Sequence, residues 1–255
     1  MLAMFQLLFG YFKKSFHSIF FGFIFPIIML TILLAVLTPG NPNAAQTVLP
    51  GLVMSASPVL GIVTLSMTYS DFKQSIIIKR IGATPLKPWQ FISSILIFHV
   101  ILIFIGSFWT LGIGAALYHN QINWELINWG YILLAILLSS IMCSAVGIMV
   151  GILASDFKIA NAFALLLYLP TSFLSGQYIP YVAIKGQPVL VIIAKIIPFS
   201  YPVSIMNRGW NNYGTPNDLI NAALFDNYWI PILVSLLWIG ALIFGAIMAY
   251  KYRRK

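Results

Sequence analysis

The side chains of this sequence that could do chemistry are few. Five acids, Asp71, Glu125, Asp156, Asp218 and Asp226, stand far apart in polar stretches, and the three histidines, His17, His99 and His119, form no pair at helical spacing. An intramembrane metalloprotease or prenyl transferase needs clustered His, Glu and Asp to hold its metal, so no metal ligands are assigned. An intramembrane serine protease needs a buried Ser–His pair. Ser175 with His99 is the one combination on offer, and Ser172-Phe-Leu-Ser175-Gly lacks the first glycine of the nucleophile motif. His99 is also the only group placed to carry a proton or sodium-driven cycle at mid-membrane, and it reads more simply as a polar helix-contact residue. No Gly-Lys pair occurs, so the chain has no phosphate-binding loop, and a dinucleotide fingerprint is missing too. The expectation is a protein with no catalytic residue and no cofactor of its own, whose energy arrives from elsewhere. An intramembrane enzyme and a self-contained carrier or channel stay open as alternatives.

Whatever positions these residues must be stable in lipid. Of the 255 residues, 60 % are apolar and 7 % charged, and the mean hydropathy is +0.95. A soluble domain carries about a quarter charged residues, so a soluble enzyme, a disordered chain and a disulfide-stapled secreted module are all excluded. Six stretches are long enough to cross a bilayer, which takes about 20 apolar residues: Ile19–Leu37, Val48–Tyr69, Phe91–Leu117, Trp129–Ala154, Ile159–Gly176 and Tyr228–Tyr250. None contains Asp, Glu, Lys or Arg, and none shows the alternation of a barrel strand. The expected fold is therefore an all-α polytopic membrane protein of six transmembrane helices forming one permease-like domain over residues 1–255. The run after Lys13 and Lys14 is too long for a signal peptide and has no small-x-small cleavage site, so it reads as a retained span.

Net charge is +9, and its placement sets the orientation. With six crossings, eleven basic residues fall on one side (Lys13, Lys14, Lys73, Lys79, Arg80, Lys87, Lys158, Lys251, Arg253, Arg254, Lys255) and three on the other (Lys185, Lys195, Arg208). The positive-inside rule puts both termini in the cytoplasm. The basic surplus reads as an orientation signal and a docking surface, with no nucleic acid implied.

Three connections carry expectations. In residues 2–17 the polar positions 6, 10, 13, 14 and 17 share one stripe, which predicts an amphipathic helix in the cytoplasmic interface; the alternative is an extension of span one. In residues 70–90, Ser70 or Asp71 can cap a short helix that Gly82 and Thr84-Pro85 end, with Phe72, Ile76 and Ile77 on one face and Lys73 and Arg80 on another. Such a helix could transmit a push from a soluble partner; the alternative is a solvated basic loop. Ser-Asp-Phe-Lys recurs at 155–158, which shared capping chemistry explains without a repeat. Between Pro180 and Asn227, the run Pro188–Pro198 is too apolar for water and too short to cross. It predicts a re-entrant or interfacial hairpin on the outer face, with Lys195 snorkelling to the headgroups.

Within the membrane, Ser139, Cys143, Gly147 and Gly151 recur every four residues and predict close helix packing. Cys143, the single cysteine, is part of that stripe. Pro26, Pro58 and Pro170 predict kinks in spans one, two and five.

This order of parts resembles the permease subunits of type-2 ATP-binding-cassette exporters over essentially the whole length. Locally, "IIIKRIGATPLKPWQF" (76–91) is similar to that family's Lys-Arg stretch with a Thr-Pro turn. "LPTSFLSGQYIP" (169–180) and "IIPFSYPVSIMNRGW" (196–210) are similar to its Leu-Pro, Leu-Ser-Gly and Pro segment with a later Arg. The resemblance implies two permeases, identical or related, paired with two copies of a separate ATPase subunit that carries ATP and Mg, in the plasma membrane of a prokaryote. It places Asp71, Phe72, Lys73, Ile76, Lys79 and Arg80 on the coupling helix against the ATPase, and Pro180, Pro188, Lys195, Pro198 and Arg208 on an external hairpin that gates release. Spans one, two and five would then line the path. Their aromatics and hydroxyls, among them Phe21, Phe25, Ser55, Ser57, Tyr168 and Phe173, favour a hydrophobic or amphipathic cargo such as a peptide, lipid or drug. A polysaccharide is the alternative cargo, and lipid-facing phenylalanine the alternative reading of the aromatics.

Overall fold

The computed structural model describes residues 2–37, 44–75, 88–184, 186–211, 224–225 and 229–253. Among these, the chain is helical with no strand. The helices are α1 (Leu2–Lys14), α2 (16–37), α3 (Ala44–Gln74), α4 (Pro88–Tyr118), α5 (Trp129–Leu153), α6 (Phe157–Leu174), α7 (Tyr181–Ile184), α8 (Pro188–Ile196), α9 (Ser200–Trp210) and α10 (Trp229–Arg253). Five helices are long and apolar enough to cross a membrane: α3, α4, α5, α6 and α10. In α2 the apolar helix Phe20–Val36 is shorter, and α8 and α9 form a pair bent by 106°.

The helix α3 lies at the centre. Its most apolar stretch is wholly buried, and it touches α2, α4, α5, α6 and α9. By contrast, only 6 % of the corresponding stretch of α10 is buried, and it presents Leu233, Leu237, Phe244 and Ile247 outward. Such an apolar exterior fits a hydrocarbon solvent, where burying greasy residues brings no gain.

Close approach between α3 and α5 depends on missing side chains. A Cβ on Gly147 would lie 1.9 Å from the carbonyl oxygen of Gly61, and one on Gly61 would lie 2.6 Å from the Cβ of Cys143. The stripe from Ser139 to Gly151 therefore meets α3, and Ser139 and Cys143 contact each other at 3.9 Å.

The prolines act differently from one another. Before Pro26, which has no N–H and crowds the carbonyl four residues back, the helix widens into a π turn over Phe20–Ile24. At Pro58 the ladder is interrupted at Ser55, whose hydroxyl donates to Leu52 O at 2.6 Å, and a second π turn follows over Val59–Thr64. Pro170 sits inside α6 without ending it.

Two expected boundaries are corrected. The N-terminal helix stops at Lys14 instead of running to 17. Ser15 accepts from Ser18 N through its hydroxyl at 3.3 Å, so it acts as the N-cap of a new helix. Ser70 and Asp71, in turn, start no helix. α3 runs straight through them to Gln74, because Leu65, Tyr69 and Phe72 stay on its buried face, and the chain turns extended at Ser75. Ile76, Ile77, Lys79, Arg80, Gly82, Thr84, Pro85, Lys87, Lys185, Asp218 and Asp226 lie outside the described residues.

Candidate functional site

The last turn of α3 binds three elements together. Tyr11 of α1 donates its hydroxyl hydrogen to the Asp71 carboxylate. Its ring meets that of Phe72 edge-on at 5.2 Å, and Phe72, 1 % exposed, reaches Phe91 of α4 at 6.3 Å. On the other side, Lys73 Nζ donates to Ile152 O at 3.0 Å and to Ala154 O at 2.8 Å. These carbonyls end α5 and lack partners within the helix, so a cation there satisfies them and complements the helix dipole. Gln74 Nε2 adds a bond to Ser155 O at 3.3 Å. Next door, Asp156 caps α6 by accepting from Ile159 N at 2.9 Å. That backbone bond holds its carboxyl below the usual carboxylate range.

α1 itself packs through Met4 and Leu8, with Phe5 edge-on to Phe98 of α4 at 6.0 Å. Gln6, Gly10, Lys13 and Lys14 are exposed.

A second cluster gathers around Tyr178, which follows α6 and is 2 % exposed. Its hydroxyl lies 2.9 Å from that of Tyr168 and also bonds Ser55. Its ring meets Phe173 at 5.3 Å and Phe25 at 6.1 Å, and Phe25 meets Phe21 at 5.5 Å. Four of the six path residues singled out above thus meet one tyrosine, and Phe21 joins them through Phe25. The sixth, Ser57, is fully buried in α3. Burial pushes the Tyr178 hydroxyl above the ordinary tyrosine range, so it stays a neutral hydrogen-bonding group.

The Leu-Ser-Gly turn is built by Gly176, the one described residue with left-handed backbone, at φ 89°. The Tyr181 ring fills the space where a Cβ would stand, 2.7 Å away, and the Tyr181 hydroxyl donates to Ser175 O and, at 3.1 Å, to Ser200 O. Along the following segment, Pro188 starts α8 at its first turn and Pro198 lies at the 106° bend. Lys195 is exposed in the last turn of α8, and its carbonyl accepts from Tyr201 Oη at 2.8 Å. Arg208 is 5 % exposed within α9, which packs on α3, α5 and α10.

His99 and Ser175 are not brought together. His99, 1 % exposed, has Nδ1 2.9 Å from Ile95 O, and the small chamber beside it is lined by Ser18, Thr64 and Thr68 but not by Ser175.

Sequence reasoning passed over Tyr11, Ser15 and Tyr178, and it placed Thr64 only among the hydroxyls of the path. A signal existed for Ser15, three residues ahead of Ser18. For Tyr11 there was none, since Asp71 is sixty residues away, and the Tyr178 cluster likewise depends on Phe25 and Ser55, which are distant in the chain.

Long apolar helices packed through buried glycine contacts define a multi-pass helical membrane protein. Residues 2–209 match the family of ABC-2 type transporters, and the chain belongs to that family as a membrane permease component. Compared with curated proteins, it matches none.

Proposed function

We propose that the chain is the membrane-spanning subunit of an ATP-driven exporter in a prokaryotic plasma membrane. It crosses six times with both termini cytoplasmic, pairs with a second permease, identical or related, and couples to two copies of a separate ATPase that carries ATP and Mg. The observation that carries this reading is the junction at Asp71–Lys73. A push delivered to residues 76–87 meets a helix end already tied to α1 through Tyr11 and to α5 through Lys73. Movement of that end is then shared by three elements, which is what a coupling device requires. The cargo is hydrophobic or amphipathic, a peptide, lipid or drug, and the aromatic cluster around Tyr178 lies on its path. The bent pair of α8 and α9 forms the external gate.

Co-purification with the neighbouring ATPase, followed by ATP-driven export from proteoliposomes against a panel of amphipathic peptides and drugs, tests this. Arg80→Glu or Lys79→Glu should leave assembly of the permease intact and abolish ATP-driven export. Failure of any ATPase to associate, or full export by Arg80→Glu, rejects the reading.

A further inference from the structure

Between α1, the start of α2, the end of α3 and the start of α6 lies a cavity of about 320 Å3, lined by Tyr11, Lys14, Ser15, Phe16, Ser18, Thr64, Met67, Thr68, Asp71 and Phe157. A small chamber of about 10 Å3, room for about one water, continues it towards His99 and shares Tyr11, Ser18, Thr64 and Thr68. The main cavity is at the lower end of ligand pockets, which run about 300–1,000 Å3.

Thr64 is the lining residue whose buried hydroxyl this space leaves unmet among the described residues. A helical threonine normally returns its hydroxyl to a carbonyl one turn back. Thr110 does so to Gly106 O at 3.0 Å, Thr171 to Leu167 O at 2.6 Å and Thr31 to Ile28 O at 2.8 Å. Thr64 closes the π turn of α3, is 3 % exposed, and its hydroxyl has no partner among the described residues. An unmet buried hydroxyl costs about 1–3 kcal/mol, which a bound polar group removes. π turns inside helices are frequent at functional sites.

We propose that this cavity holds the headgroup of a zwitterionic phospholipid of the ethanolamine type. The lining carries one anion, Asp71 on α3, and one cation, Lys14 on α1, with hydroxyls between them. An ammonium suits the Asp71 carboxylate, while phosphate oxygens suit Lys14 and the hydroxyl donors. Phe16, 76 % exposed, Met67 and Phe157 supply apolar surface for the acyl chains. An anionic headgroup without an amine offers nothing to Asp71, and a choline lacks the N–H donors that a carboxylate and a buried hydroxyl accept. The inference rests on the reading that α1 lies at the cytoplasmic membrane surface, where such headgroups are found.

The test uses the full chain alone in detergent, with no ATPase, so it does not depend on coupling. Native mass spectrometry reads which lipid is retained from an equimolar mixture of phosphatidylethanolamine, phosphatidylcholine and phosphatidylglycerol. Phosphatidylethanolamine should be retained about ten-fold over the other two, the size of one charge-assisted hydrogen bond. Lys14→Gln, on an exposed side chain, and Thr64→Val, which keeps the shape and removes the hydroxyl, should each reduce that preference several-fold. Equal retention of the three lipids, or a preference unchanged in both variants, overturns the proposal. Free O-phosphoethanolamine separates the sources. If it displaces the lipid at equal concentration, the occupant is a soluble zwitterion and the lipid assignment is overturned; weak displacement supports the membrane source. Lipid selectivity with no associated ATPase would reject the exporter reading alone, and ATP-driven export without lipid selectivity would reject this one alone.

Discussion

Tyr11 donates a hydrogen bond to Asp71, sixty residues further along the chain, and so fastens the N-terminal helix to the last turn of the central helix. The bond is made to a partly buried carboxylate and is worth about 1–2 kcal/mol after allowance for solvent. Tyr11→Phe keeps the ring against Phe72 and removes only the hydroxyl. It should lower the melting temperature of the detergent-solubilised chain by a few degrees. In a double-mutant cycle with Asp71→Asn, the two effects should be non-additive.

Lys73 ties the same turn to the end of α5 by two bonds to backbone oxygens. Lys73→Met retains the aliphatic stem and leaves those carbonyls without their cation. The expected loss is about 1–3 kcal/mol, seen as faster amide hydrogen exchange in the last turn of α5. Lys73→Arg should restore much of the protection.

Gly147→Ala tests the contact between α3 and α5. Its new methyl would overlap the Gly61 carbonyl oxygen, a backbone atom that cannot rotate away, so the helices must separate. A destabilisation of about 1–3 kcal/mol or more is expected by thermal melting. Gly240→Ala on α10, where nothing lies within 4 Å, should be neutral or slightly stabilising because alanine favours helix.

Tyr178→Phe removes the hydroxyl shared with Tyr168 and Ser55 while leaving the ring against Phe25 and Phe173. The buried Tyr168 hydroxyl then loses its partner, at about 1–3 kcal/mol. In reconstituted export, the spectrum of transported amphiphiles should shift more than the maximal rate; an unchanged spectrum would take Tyr178 off the path.

Asp156 gives a pH dependence with a definite sign. Its folded-state pKa is depressed by the bond from Ile159 N, so its contribution is present above the unfolded value, about 3.9, and fades as pH falls through the lower folded one. Exchange of the first amides of α6 should accelerate, relative to the intrinsic rate, below that range. Asp156→Ala should show the fast behaviour at every pH, and Asp156→Asn, which still accepts a bond, should lose the pH dependence.

Much of the architecture was legible in the linear chain. Trp129–Leu153, Phe157–Leu174 and Trp229–Arg253 lie within a few residues of their expected bounds, since an apolar run long enough to cross lipid must form a helix to satisfy its own backbone. The α1 boundary was missed because Ser15 competes locally as a cap, a choice that amphipathic periodicity does not register. Ser70 and Asp71 were misplaced as caps because their residue types favour helix starts, whereas Tyr69 and Phe72 are held on the buried face of α3 by α1 and α4.

Periodicity, hydropathy and charge are properties of neighbours in the chain, so the sequence by itself determined that this protein is a bundle of apolar helices. The tertiary structure decided which polar groups meet. Asp71 finds Tyr11 sixty positions away, and Lys73 finds the end of α5 across 79 and 81 positions. It also left Thr64 without a partner among the described residues, beside a polar cavity. Those outcomes depend on how helices pack in three dimensions, where a one-turn shift of either helix would exchange every partner.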